Sequence, residues 1–120
     1  MSARVLVVED EFMIGFDVCQ QLASAGYEVV GPATSVRRAL RLEPQCDVAV
    51  LDVNLGRETC EAVARKLRET GKPFVVLTGY SPDNLASSFS DATILTKPPC
   101  MADVLEAVRR CTEAAADSHA

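Results

Sequence analysis

Six side chains stand at the ends of short apolar runs. Val5-Leu6-Val7-Val8 is followed by Glu9, Asp10 and Glu11, and Val48-Ala49-Val50-Leu51 by Asp52. Phe74-Val75-Val76-Leu77 is followed by Thr78, and Ala92-Thr93-Ile94-Leu95 is soon followed by Lys97. Carboxylates brought close together repel one another unless a cation sits among them. A hard cation with oxygen ligands suits such a cluster. Mg²⁺ takes one or two carboxylates, keeps several waters and engages a phosphate. A carboxylate can also attack a phosphoryl group to give an aspartyl-phosphate. A metal, an ammonium and a hydroxyl around the equatorial oxygens would stabilise that transfer.

That chemistry requires the four segments to converge. The apolar runs read as buried strands, because they are continuous and rich in β-branched residues. Patterns of helical period lie between them. The first covers Phe12 to Ala25, with Ile14, Val18 and Leu22 on one face and Gly26 at its stop. Glu28-Val29-Val30 starts a second strand, which Gly31-Pro32 is expected to end. Ser35 is the expected N-cap of a short helix through Val36, Ala39, Leu40 and Leu42. Asp52 to Gly56 reads as a loop, and Glu58 to Thr70 as a helix broken by Gly71-Lys72-Pro73. Ser81-Pro82 opens another helix. The last runs from Met101 to about Ala114, and residues 115–120 are expected to fray.

Five strands alternating with five helices predict an α/β, doubly wound parallel sheet of order 2-1-3-4-5, in one domain over residues 1–120. Right-handed crossovers then put every strand's carboxyl end on one edge, so Glu9, Asp10, Asp52, Thr78 and Lys97 meet there. Each taken alone has a plainer explanation. Asp52 could form a turn, Thr78 could cap a helix, and Lys97 could be a surface lysine. Glu11 is assigned to the dipole of the first helix rather than to a metal. The convergence of the others favours a site.

Composition narrows the alternatives. The chain has 120 residues, 48% of them apolar, which is enough for one core. Its net charge of −5 argues against a nucleic-acid footprint and against docking on an anionic membrane. No apolar run is long enough to span a bilayer. Met1-Ser2-Ala3-Arg4 does not have the pattern of a secretory signal. Cys19, Cys46, Cys60, Cys100 and Cys111 are odd in number and lack C-x-x-C spacing. They read as thiols of a cytoplasmic protein, acting as small apolar fillers. The one histidine, His119, lies at the end of the chain, which removes histidine-based catalysis and metal binding.

From Val5 to about Arg110 the chain resembles a response-regulator receiver domain of two-component signalling. The resemblance rests on Val8-Glu9-Asp10-Glu11, Leu51-Asp52-Val53-Asn54-Leu55-Gly56, Leu77-Thr78-Gly79-Tyr80 and Thr96-Lys97-Pro98. It implies a flavodoxin-like fold and a phosphoryl group accepted on Asp52 from a sensor histidine kinase or a histidine phosphotransfer protein. It further implies Mg²⁺ bound by Glu9, Asp10, Asp52 and the backbone carbonyl of Asn54. Thr78 and Lys97 would contact the phosphoryl oxygens, and the Lys97–Pro98 bond would be cis. The segment from Pro73 to Tyr80 is similar to the FAT GUY subgroup of mostly single-domain receivers, which act with HWE or HisKA2-type kinases. Val76-Leu77 replaces the Phe-Ala of that subgroup. Ile94 stands where many receivers carry a switch Tyr or Phe, and Pro99 where Phe commonly follows Lys-Pro.

The expected function is therefore that of a phospho-acceptor that signals by protein contact or serves as a phosphate sink. It would be a substrate with slow Mg²⁺-dependent autodephosphorylation, not a conventional enzyme. A phosphorylation-independent binding module is one alternative, although such modules usually lose an acid or the lysine and this chain keeps them all. An aspartyl-phosphate phosphohydrolase is another. It would want an acid two residues beyond the nucleophile, where this chain has Asn54.

Overall fold

The computed structural model describes residues 3–79, 89 and 92–118, with 115–118 as backbone only. Five long parallel strands form the sheet: β1 (Arg4–Val8), β2 (Glu28–Ala33), β3 (Val48–Asp52), β6 (Phe74–Thr78) and β7 (Thr93–Thr96). Their order is β2-β1-β3-β6-β7. The numbering departs from 2-1-3-4-5 because a two-stranded hairpin, β4 (Asn54–Leu55) with β5 (Glu58–Thr59), intervenes and forms its own sheet. The five long strands keep the expected succession.

The sheet is apolar on both faces, as a parallel sheet must be. Leu6, Val8, Ala49, Leu51 and Val76 face helices α2 (Val36–Leu42) and α3 (Glu61–Glu69), meeting Ala39, Val63, Ala64, Leu67 and also Phe89. Val5, Val7, Val48, Val50, Val75 and Leu77 face α1 (Phe12–Ser24) and α4 (Met101–Ser118), meeting Val18, Leu22, Val104, Ala107 and Val108. Successive strand residues alternate between these two cores, which is the period of two acting on a two-sided sheet.

Several expectations need correction. The second strand does not stop at Gly31-Pro32 but runs through to Ala33. Proline is tolerated because β2 is an edge strand. The pairing with β1 shifts register between Leu6 and Val8, and Gly31 sits in this bulge at φ +102°. A Cβ at Gly31 would stand 2.8 Å from the Val7 carbonyl oxygen and 2.8 Å from the Ala33 nitrogen. Both obstacles are backbone and cannot swing away. Gly31→Ala should therefore destabilise the fold by about 2 kcal/mol or more, read as a lower urea midpoint at unchanged slope.

The third helix begins at Glu61 and not at Glu58. Glu58 belongs to the hairpin, and its Oε2 accepts the Val36 amide at 3.0 Å, at the start of α2. Ser35 caps α2 as expected, its Oγ accepting from the Arg38 amide at 3.2 Å. The last helix continues to Ser118, past the expected fraying point. Four α-helices lie among the described residues where five are expected, and the one opening at Ser81-Pro82 lies outside them. Among the described residues no helix is long and apolar enough to cross a membrane.

A charged group is buried at the opposite edge of the sheet from the acids. Gly71, at φ +71°, lets α3 close with Lys72 N–H donating back to the Leu67 carbonyl at 2.8 Å. That turn aims the Lys72 ammonium at Glu43, 2.6 Å from Oε2 and 2.8 Å from the backbone carbonyl. The Thr70 hydroxyl donates to the same Oε2 at 2.9 Å. Burial alone would push the Glu43 carboxyl up. The hydrogen bonds from Lys72 and Thr70 prevail and hold it below its ordinary range.

Candidate functional site

Strand register builds the site. β1 and β3 are neighbours with Val8 opposite Leu51, so Glu9 and Asp10 leave β1 beside Asp52, the last residue of β3. On the other side of β3, Asp52 is paired with Leu77, and Thr78 follows at the end of β6. Thr78 is in turn paired with Thr96 of β7, and the Lys97 amide donates to the Thr78 carbonyl at 2.7 Å. The Lys97–Pro98 bond is cis. The predicted site residues thus meet on one edge.

The Lys97 ammonium is the electrostatic centre. It lies 2.9 Å from Asp52 Oδ2, 2.8 Å from Glu11 Oε1 and 3.1 Å from Glu9 Oε1. Burial opposes its charge, but the three carboxylates outweigh this and raise its pKa. Glu9, Asp52 and Thr78 are buried, whereas Asp10 is exposed. Asp10 Oδ2 accepts the Gly56 amide at 2.8 Å, which fastens the hairpin turn to the end of β1. The Asn54 amide donates to Asp52 Oδ1 at 3.3 Å, so the residue two beyond Asp52 is tied to its carboxylate.

Carboxylate oxygens of Glu9, Asp10 and Asp52 all lie within 4.8 Å of one another. Burial, aggravated by Asp52, pushes the Glu9 carboxyl up to about 7. Glu9 Oε2 accepts the Glu11 amide at 3.1 Å, while the buried Oε1 takes no hydrogen bond. Lys97 is near Oε1 as an ion-pair partner only, outside hydrogen-bonding geometry. A buried carboxylate oxygen without a hydrogen bond, in a cluster where carboxylates outnumber the one ammonium, is what a hard divalent cation would satisfy.

No family model matches the chain. It is 32% identical over 111 residues to the transcriptional regulatory protein PdtaR of Mycobacterium tuberculosis, covering 88% of this chain and 54% of that protein. The chain therefore spans about half the length of that regulator. The solution structure of SdrG from Sphingomonas melonis Fr1 is 38% identical, with a TM-score of 0.77 over 90% of this chain and 94% of that one. A response regulator receiver protein from Sinorhizobium medicae WSM419 is 26% identical, with a TM-score of 0.85 over 95% of this chain and 97% of that one. The chain belongs to the response-regulator receiver domains.

Receiver domains are signalling modules that bind Mg²⁺ in an acidic pocket. In this one Glu9, Asp10 and Asp52 form the pocket, and they fit the ion by donor type and by the unsatisfied Glu9 oxygen. One residue of the receiver's edge has a partner that the sequence reading does not assign. Glu11 occupies the N-cap position of α1 but makes no capping bond. Its carboxylate turns instead to Lys97. A signal for this exists in the sequence: Glu9 and Glu11 are two apart, so in extended chain they point the same way while Asp10 points the other. The receiver's described thiols are free. Cys60 is buried, and burial, with the field of Asp52 and Glu9, pushes it up to about 12. It stays protonated and serves as a filler.

Proposed function

We propose that this receiver takes a phosphoryl group on Asp52. The observation that carries the reading is the Lys97 ammonium 2.9 Å from Asp52 Oδ2, beside a carboxylate cluster fit for a cation. A carboxylate oxygen of Asp52 attacks phosphorus, the bond from phosphorus to the donor breaks, and an acyl phosphate results. Glu9, Asp10, Asp52 and the Asn54 carbonyl would hold Mg²⁺, which would supply charge neutralisation for the incoming anion. Lys97 and the Thr78 hydroxyl meet the phosphoryl oxygens. Slow autodephosphorylation follows from the same site, since Asn54, two residues beyond Asp52, is not a base. Tyr80 lies outside the described residues.

The donor is a sensor histidine kinase or a histidine phosphotransfer protein in the cytosol. The motif from Pro73 to Tyr80 supports placement in the FAT GUY subgroup and a donor of the HWE or HisKA2 type. The start of α1, next to the acids, offers a landing surface. Phe12 is 79% exposed, and its ring stacks on Phe16 with centroids 6.0 Å apart. Met13 is exposed beside them.

Incubation with Mg²⁺ and acetyl phosphate, followed by intact-mass measurement, should show a gain of one phosphoryl group. EDTA should suppress it, because an anionic donor is repelled by an unneutralised acidic cluster. A gain that proceeds equally in EDTA would count against the metal-assisted reading. No gain in either condition would favour the phosphorylation-independent binding module.

A further inference from the structure

Lys97 is held by three carboxylates, and one of them lies outside the metal-binding cluster. That one, Glu11, makes the shortest contact, at 2.8 Å. Its surroundings differ from those of the other two. The Glu11 side chain is 59% exposed, against 1% for Glu9 and 6% for Asp52. Packing therefore does not hold it against Lys97; the charge of the ammonium does. Its backbone, by contrast, is fixed. The Glu11 amide donates to Glu9 Oε2 at 3.1 Å, and its carbonyl accepts from Gly15 at 2.9 Å.

An ammonium has three protons to donate, and here three carboxylates surround it. A phosphoryl group on Asp52 brings further acceptor oxygens with two negative charges between them. Lys97 can meet them only by releasing a partner. Glu9 is buried and would be left as an uncompensated charge, and Asp52 is itself the group that takes the phosphoryl group. Glu11 can turn into water at little cost.

The geometry points to Glu11 as a positioning residue that holds the Lys97 ammonium at the rim of the site and yields it to the arriving phosphoryl group. Glu11 competes with the donor for Lys97, and so sets the donor concentration at which the site engages. The inference rests on the phospho-acceptor reading of Asp52.

The test follows the rate of mass gain against acetyl phosphate concentration at saturating Mg²⁺. Glu11→Gln should lower the half-saturating donor concentration about three- to fivefold, the worth of one exposed ion pair, with a smaller change in maximal rate. In a Lys97→Gln background, which reacts more slowly and is followed for longer, the same substitution should leave the half-saturating concentration unmoved. Glu11→Asp, which keeps the charge but shortens the reach, should fall between Glu11→Gln and the unsubstituted chain. An unchanged value in Glu11→Gln overturns the proposal. So does an equal shift in the Lys97→Gln background, which would make Glu11 a general charge and not a partner of Lys97. If the unsubstituted chain gains no mass, the phospho-acceptor reading fails, and the role of Glu11 with it.

Discussion

Asp52→Asn should abolish the mass gain from acetyl phosphate with Mg²⁺. The amide nitrogen cannot attack phosphorus, and the remaining amide oxygen is a poor nucleophile beside a carboxylate. The fold should survive the change. Asp52 Oδ1 accepts the Asn54 amide, and an asparagine oxygen can accept it equally well. The backbone around it is held independently, with Val53 N–H donating to the Leu77 carbonyl at 3.0 Å. Loss of reaction in a variant with unaltered thermal unfolding would assign the phosphoryl group to Asp52. A variant that still gains the mass would move the phosphosite elsewhere. Mg²⁺ should also raise the unfolding temperature of Asp52→Asn less than that of the unsubstituted chain, because one of three clustered carboxylates is gone.

Lys72→Met should destabilise the fold by about 3 kcal/mol. Glu43 is 1% exposed, and the Lys72 ammonium lies 2.6 Å away. Removing it leaves a buried carboxylate with the Thr70 hydroxyl as its remaining side-chain donor. Chemical denaturation should show the loss as a lower midpoint. Adding Glu43→Gln to Lys72→Met should recover part of it, since the stranded charge is then gone. The pH dependence has a definite sign. Glu43 in the folded protein titrates below its ordinary value of 4.5. A depressed carboxylate contributes stability that is fully present above the unfolded value and is lost as pH falls through the folded one. The unsubstituted chain should therefore lose stability below about pH 4.5 more steeply than the double variant.

The strands and the site acids could be read from the sequence because their signals are local. A continuous run such as Val48–Leu51 has few other uses, and an acid at its end marks the edge where ligands bind. What the sequence concealed depends on contacts between distant segments. Asn54–Leu55 and Glu58–Thr59 are too short to show a strand period, and the Asp10–Gly56 bond that holds their turn joins residues far apart in the chain. Gly31-Pro32 reads as a stop, and only the place of β2 at the sheet edge lets the strand pass through it. Glu11 looks like a dipole acid until Lys97 is brought to it by β7. Glu43 and Lys72 gave no sign of each other, because their pairing depends on how α2 and α3 both close at the far edge of the sheet.

The position of β1 between β2 and β3 bears on how the chain is made. β2 is complete once α1 has been made, but β3 is synthesised only after α2 as well. Until residues 48–52 leave the ribosome, Val5–Val8 can pair along one edge only. The other edge is an apolar strand with open hydrogen-bonding groups, the kind of template on which nascent chains pair with one another. At ordinary rates of elongation that exposure lasts on the order of a few seconds. The arrival of β3 ends it, and the same pairing brings Asp52 beside Glu9.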